Sequence, residues 1–357
     1  MNNETKLYAY GLKEDIKNEY EKKYSNYLLG RIVIEHKNIY NVITENEEVV
    51  ARISGKFNYT ANEKQDYPAV GDWVLLDRDS NKEGEAIIHG VLPRFSSFSR
   101  KVAGNRSDEQ IVAANIDTVF ICMALNNDFN IRRLERYISL SWDSGAKPVI
   151  ILTKADLCQA VDLKVYDVEQ VAIGIDVIVV SSITNQGIER VMANIIENET
   201  IVFIGSSGIG KSTLINALLG EEKQAVKGLR NDDKGRHTTT YRELIKLSTG
   251  GIIIDTPGMR ELQILSADIN TSFSDIEEFA ENCYFCDCKH ETEPKCAVKK
   301  AIEDGTLSEE RLKSYKKLSK ELKYQENKQK LKTKQLEKQK TINMLGSLNG
   351  RKKVKHR

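Results

Sequence analysis

Four short segments of this 357-residue chain place glycines, hydroxyls, amines and carboxylates at spacings that can hold a nucleotide. Gly205-Ser206-Ser207-Gly208-Ile209-Gly210-Lys211-Ser212 has the G-x4-G-K-S pattern. Its glycines let the backbone close around phosphate oxygens with N–H groups aimed inward. The helix opened by Ser212 and Thr213 adds its positive end. Lys211 is placed to reach the β- and γ-phosphates and Ser212 to ligate Mg²⁺. Asp255-Thr256-Pro257-Gly258 offers an aspartate to the water shell of that Mg²⁺ and the Gly258 N–H to the γ-phosphate. Thr153-Lys154-Ala155-Asp156 suits the base: Asp156 can accept hydrogen bonds from guanine N1–H and N2–H, a donor pair adenine lacks, and the Lys154 stem can lie across the ring. Asn is the usual first residue of such a segment, and Thr153 is a departure whose hydroxyl can still brace the loop. Ser181-Ser182 can supply a backbone N–H to guanine O6.

The order of these parts is as informative as their composition. In ordinary GTPases the phosphate loop precedes the base-reading segment, whereas here Thr153–Asp156 and Ser181-Ser182 come first. A ligand meets only groups in space, so a rotated order can build the same site. Between the phosphate loop and Asp255 lies the polar, glycine-punctuated segment from Gly228 to Thr240. It has the character of a switch ordered by γ-phosphate and Mg²⁺, with Thr239 or Thr240 entering the Mg²⁺ shell. The position after Gly258, where Ras-like enzymes place a water-orienting glutamine, is Met259, which cannot do that work. His237, on the switch and able to exchange protons near neutral pH, is the candidate catalytic residue.

A second chemistry sits downstream. Cys283-x4-Cys288-x-His290-x5-Cys296 supplies three thiolates and an imidazole, a complete tetrahedral set for structural Zn²⁺ with no open position. Cys286 adds an alternative, because Cys283-x2-Cys286 is also a plausible ligand pair. Cys122 and Cys158 are expected to be ordinary thiols.

The elements that position these residues can be read from apolar runs. Asp117–Ala124, Pro148–Leu152, Asp176–Val180, Ile201–Ile204 and Gly251–Ile254 are buried-strand patterns, and Ile131–Ile138 has helical spacing. Four of the strands end at Thr153, Ser181, Gly205 and Asp255, the carboxyl ends where open α/β sheets bind ligands. Upstream, Arg31–Ile34, Asn38–Val42, Val49–Ile53, Trp73–Leu76 and Ala86–Ile88 are short β-like runs separated by turns, as in a small OB-like barrel. The expected fold is therefore multidomain α/β. It comprises an N-terminal arm (1–27) that is a short helix or a mobile segment, an OB-like RNA-binding barrel (28–100), a GTPase domain (101–272), a helical zinc-binding subdomain (273–340) and a basic tail (341–357).

A net charge of +1 excludes a polycation as a whole, although the tail Arg351-Lys352-Lys353-Val354-Lys355-His356-Arg357 would be attracted to phosphates or serve as a solubilising end. No run approaches the roughly 18 apolar residues of a membrane span, and the N-terminus lacks the apolar stretch of a signal peptide. The expectation is a cytoplasmic, soluble monomer without membrane or DNA partners.

In combination these features resemble the circularly permuted small-subunit assembly GTPases of the RsgA (YjeQ/YloQ) family. The resemblance spans nearly the whole chain and rests on Ile131-Arg132-Arg133-Leu134-Glu135-Arg136-Tyr137, the Thr153 and Gly205 segments, Gly235-Arg236-His237-Thr238-Thr239-Thr240, Asp255–Gly258 and the cysteine cluster. It implies Cys283, Cys288, His290 and Cys296 as the Zn²⁺ ligands, with Cys286 spare. It also implies GTP and GDP as nucleotides, the small ribosomal subunit and its rRNA as partners, slow GTP hydrolysis stimulated by that subunit, and a role in releasing factors late in its maturation. The rival reading is an RNA-binding assembly factor that uses GTP only as a conformational ligand.

Overall fold

The apolar runs fold into two sets of strands. The computed structural model describes residues 6–36, 39–61, 63–101, 109–206, 208–219, 242–255, 273–285, 287–320, 322–324 and 327. Contacts divide the chain into two units, Met1–Gln263 and Ile264–Arg357.

In the first unit the short runs nearer the N-terminus close a five-stranded barrel. Its strands are β1 (Leu28–Glu35), β2 (Tyr40–Thr44), β3 (Glu48–Ile53), β4 (Trp73–Leu76) and β5 (Ala86–Val91). The order is β1-β2-β3-β5-β4, and β4 pairs back onto β1. Closure removes the sheet edges that would otherwise template association. The helix α1 (Glu14–Lys23), preceded by a 3-10 turn at Tyr8–Tyr10, occupies the N-terminal region, so of the two expectations for that segment the helix is the one found. Beyond the barrel, β6 (Ser97–Lys101) and β7 (Glu109–Ala114) pair with each other as a two-stranded sheet.

The continuous apolar runs β8 (Thr118–Ala124), β9 (Lys147–Thr153), β10 (Val177–Val179), β11 (Thr200–Ile204) and β13 (Ile252–Asp255), together with the polar-flanked β12 (Arg242–Lys246), form a mostly parallel sheet. Every residue of β8 and β11 is buried, as expected where helices cover both faces of a parallel sheet. The spatial order is β10-β9-β8-β11-β13-β12, parallel except for the last pair. The chain starts at β8, works outward to β10, then returns to β11 and builds the other flank. The join between β8 and β11 is therefore the topological switch point, the usual location of a ligand in such sheets. Besides α1, the described residues of this unit form the helices α2 (Gly55–Thr60), α3 (Ile131–Asp143), α4 (Val161–Glu169), α5 (Ile188–Ala193) and α6 (Lys211–Leu219).

The two sheets are continuous. The first half of β1 closes the barrel against β4 (Leu28↔Leu76 to Arg31↔Trp73). After a register shift between Ile32 and Ile34, its last residues pair with β12 (Ile34↔Glu243, Glu35↔Arg242). A bulge re-aims a strand in this way. Arg242 reinforces the junction, with Nη1 2.7 Å from Glu35 Oε2 and donating to the Ile111 carbonyl at 3.2 Å.

Arg31, also on β1, is 1% exposed. Nε donates to the Gly71 carbonyl at 3.1 Å, and Nη2 donates to the Asn115 carbonyl at 3.1 Å and to Thr200 Oγ1 at 2.9 Å. Nη1 donates to the Tyr10 carbonyl, and the guanidinium lies 5.3 Å from the Trp73 ring centre. Burial lowers its pKa to about 10, opposed by Asp117 and Asp72, so it stays charged at neutral pH.

The second unit contains α7 (Ser274–Ala280), α8 (Ala297–Glu303) and a helix over 309–320 (α9). Arg311 clamps Asp275 with two bonds of 2.6 and 2.8 Å and lies 4.8 Å from the buried Phe273 ring centre, which ties α9 to α7.

Replacing Arg31 by methionine keeps similar volume but strips hydrogen bonds from several buried acceptors, each costing about 1–3 kcal/mol when left unmade. Chemical denaturation should show Arg31→Met destabilised by at least about 3 kcal/mol, and a loss below about 1 kcal/mol would show that the hub is dispensable.

Candidate nucleotide and metal sites

β11 is buried at the centre of the sheet and delivers the chain directly into Gly205. Gly205 is fully enclosed: a Cβ there would lie 2.4 Å from the Cys122 carbonyl oxygen and 2.4 Å from Ile209 Cδ1, and its φ is 139°. Only glycine fits. Gly208 and Gly210 also take positive φ, 76° and 99°, and the loop then enters α6 at Lys211. Ser212 and Thr213 are exposed at the start of that helix, whereas Leu214, Ile215 and Leu218 bury its other face. Lys211 Nζ donates to the Gly205 carbonyl and, at 2.7 Å, to the Ser206 carbonyl. Its ammonium thus sits over the loop, where phosphate oxygens could replace the carbonyls.

Segments that precede the loop in sequence hold it in space. Thr153, buried at the end of β9, donates its hydroxyl to the Ile209 carbonyl at 2.6 Å. Lys154 Nζ donates to the Gly208 carbonyl at 2.6 Å. Lys154 has φ 59°, an uncommon conformation for a non-glycine residue that surrounding contacts must enforce; the next amide, Ala155 N–H, is fixed on the Val180 carbonyl at 3.2 Å. Asp156 is exposed and accepts a 2.6 Å hydrogen bond from Ser181 Oγ. The Ser181 amide is itself used on the Gln186 carbonyl, so of the serine pair Ser182 is the better source of an amide for a ligand. Thr153 and Lys154 are therefore brought to the phosphate loop from the end of β9, and Asp156 meets Ser181 where β9 and β10 end. Asp255 closes β13 beside β11. Ser207, His237, Thr239, Thr240, Gly258 and Met259 lie outside the described residues.

One burial was not legible in the sequence. Tyr137 of α3 is 4% exposed, and burial pushes its phenol above its ordinary value.

In the second unit Cys283, Cys288, His290 and Cys296 bring their ligand atoms within 4.8 Å of one another. Cys283 Sγ and Cys296 Sγ are 3.8 Å apart, and His290 Nδ1 lies 3.7 Å from Cys283 Sγ and 3.4 Å from Cys296 Sγ. Two thiolates bound about 2.3 Å from a tetrahedral Zn²⁺ are separated by about 3.8 Å, so the spacing fits that ion without rearrangement. Burial, with Lys316 nearby, lowers the pKa of His290 and favours the neutral, coordinating imidazole. Lys316 Nζ also donates to the His290 carbonyl at 2.8 Å, and the Glu293 carboxylate caps the amides of Lys289, Glu291 and Thr292 at 2.8–3.1 Å. Those amides hold the Glu293 pKa at about 2, which keeps the loop between His290 and Cys296 pinned. Cys286 lies outside the described residues.

A glycine-rich phosphate loop at the switch point, fed by base-reading segments that come earlier in the chain, defines a circularly permuted GTPase with an N-terminal five-stranded barrel. The comparisons agree. The RsgA GTPase family model matches residues 91–265, and a model described as 50S ribosome-binding GTPase matches 200–336, beginning at β11. The small ribosomal subunit biogenesis GTPase RsgA 2 of Lactiplantibacillus plantarum is 48% identical over 352 residues, covering 98% of both chains. RsgA 1 of Oceanobacillus iheyensis is 49% identical, covering 92% of this chain and 97% of its own. Among solved structures, YjeQ from Thermotoga maritima superposes with a TM-score of 0.62 at 28% identity, covering 83% of this chain and 98% of its own. YloQ, described as a circularly permuted GTPase, gives 0.61 at 26%, covering 84% and 96%. This chain belongs to the RsgA family of GTPases.

Metal analysis of the purified protein should find about one zinc per chain, with Cys288→Ser lowering it several-fold; full zinc retention in that variant would remove Cys288 from the ligand set.

Proposed function

We propose that the chain is a Mg²⁺-dependent GTPase that binds the small ribosomal subunit late in its maturation, with hydrolysis of GTP to GDP and phosphate stimulated by that subunit and coupled to release of assembly factors. The observation that carries the nucleotide reading is the bracing of the phosphate loop by the base-reading segment, Thr153 on Ile209 and Lys154 on Gly208. One ligand spanning both would be gripped at base and phosphate together. Support for the subunit comes from the relatives, whose names state small-subunit biogenesis. The closed barrel offers a face of the kind that binds RNA in OB-type folds, and the basic tail adds salt-dependent attraction to rRNA phosphates.

In this reading Asp156 accepts the guanine N1–H and N2–H, Ser182 meets O6, and Gly205–Gly210 with Lys211 hold the phosphates. Ser212, one of Thr239 and Thr240, and Asp255 (through water) hold Mg²⁺, which neutralises charge developing on the phosphate oxygens. Gly258 meets the γ-phosphate, and His237 orients or deprotonates the attacking water. Cys283, Cys288, His290 and Cys296 hold one structural Zn²⁺ that fixes the loops of the second unit. Met259, in place of a glutamine, favours the second reading, in which GTP acts only as a conformational ligand.

Asp156→Asn should weaken GTP binding by about two orders of magnitude, because two charge-assisted hydrogen bonds are lost, while ATP binding stays as weak as before. His237→Ala should slow turnover at least tenfold with GTP affinity unchanged; equal turnover would take the histidine out of the chemistry. Pelleting with small subunits in a non-hydrolysable GTP analogue against GDP tests the partner, and no pelleting in either would reject it.

A further inference from the structure

His290 meets the thiols from a backbone conformation that side chains rarely adopt, with φ 56°. Neighbouring contacts must enforce such a conformation, and one carboxylate supplies them on both sides of the residue. Glu293 Oε1 accepts from the Lys289 amide at 3.1 Å, just before the histidine. Glu293 Oε2 accepts from the amides of Glu291 at 2.8 Å and Thr292 at 3.0 Å, just after it. The chain around His290 is therefore wrapped on a side chain three residues along. Two lysines take the carbonyls of the same stretch. Lys316 Nζ, from α9, donates to the His290 carbonyl at 2.8 Å, and Lys299 Nζ, from α8, donates to the Glu291 carbonyl at 2.8 Å. The Lys299 amide also lies 3.5 Å from Cys296 Sγ, so this one residue touches both ends of the loop.

We propose that Glu293 is a positioning residue for the metal: by clamping the amides on either side of His290 it keeps Nδ1 3.4 Å from Cys296 Sγ and 3.7 Å from Cys283 Sγ, and it thereby sets how slowly the ion is released. Both oxygens already accept amides, so Glu293 acts through the backbone of His290 rather than as a fifth ligand to a set that four donors complete. A metal leaves such a site one ligand at a time. His290 is the one neutral donor of the set and the one held on disfavoured backbone, so it is the ligand whose departure the clamp opposes. Glutamine cannot replace the carboxylate, because it has a single acceptor oxygen and its NH₂ would confront an amide N–H. Loss of an outer contact that orients a ligand costs about tenfold to a hundredfold in metal affinity. The proposal rests on the reading of Cys283, Cys288, His290 and Cys296 as the Zn²⁺ ligands.

The test is the rate of Zn²⁺ transfer from the zinc-loaded, full-length protein to a colorimetric chelator, for the parent, Glu293→Gln and Glu291→Gln. Glu291 lies in the same loop, with its carboxylate 3.8 Å from Lys316 Nζ, so Glu291→Gln removes an equal charge and leaves the amide clamp in place. Glu293→Gln should load with as much zinc as the parent and release it at least about tenfold faster, whereas Glu291→Gln should release it at the parent's rate. The cobalt-loaded Glu293→Gln protein should keep the parent's visible thiolate–cobalt bands, because all four ligands remain. Parent-like release in Glu293→Gln overturns the proposal. Equally fast release in Glu291→Gln overturns it too, by making the effect one of charge, and so do altered cobalt bands, by showing a changed ligand set. A parent protein that holds no zinc would instead reject the ligand reading itself, so the two failures are distinguishable.

Discussion

The first unit of the molecule depends on a charge buried in the strand its two sheets share. Arg31 sits on β1 and is bonded to the carbonyls of Tyr10, Gly71 and Asn115 and to the Thr200 hydroxyl. Those partners belong to the N-terminal turn, the entrance of β4, the chain that leaves the β6–β7 hairpin, and the first residue of β11. Desolvating a guanidinium is expensive unless its donors are satisfied, and here four donated bonds and a tryptophan face satisfy them. An arginine suits the position because its planar fork can reach several acceptors at once. The strand that begins at Thr200 ends at Gly205, so the barrel and the entrance of the phosphate loop share one anchoring point at opposite ends of a five-residue strand.

The rotated order of motifs has a simple physical reading in this frame. A parallel sheet fixes where strand ends lie, not when they are made. β9 and β10 deliver Thr153, Asp156 and Ser181 to the same edge to which β11 delivers Gly205 and β13 delivers Asp255. The bonds from Thr153 and Lys154 to Ile209 and Gly208 show the halves of the site meeting across more than fifty residues of sequence. As the last strand on its flank, β12 offers an edge to Glu35 and Ile34 of β1, and the barrel continues the sheet. The barrel is thereby attached next to the strand that follows the switch sequence.

Much of this was legible in the sequence, for identifiable reasons. The strands ending at Thr153, Gly205 and Asp255 announce themselves because parallel strands buried on both faces are unbroken apolar runs. The barrel strands were readable from their short β-like runs and turns, and the Cys/His cluster from cysteine spacing. What could not be read were interactions without periodicity. β12 is a polar-flanked pentapeptide, Arg242-Glu243-Leu244-Ile245-Lys246, whose identity as a strand comes from the two neighbours it finds rather than from its composition. The burial of Arg31 is invisible where it stands before Ile32-Val33-Ile34, since an arginine at a strand start is usually a solvated end.

The most direct single measurement is GTP turnover with purified small ribosomal subunits, with large subunits, and with neither. A subunit-gated GTPase should hydrolyse slowly alone, accelerate strongly with small subunits and remain slow with large ones. Equal turnover in all three conditions would contradict gating by the small subunit and leave a GTPase whose partner lies elsewhere.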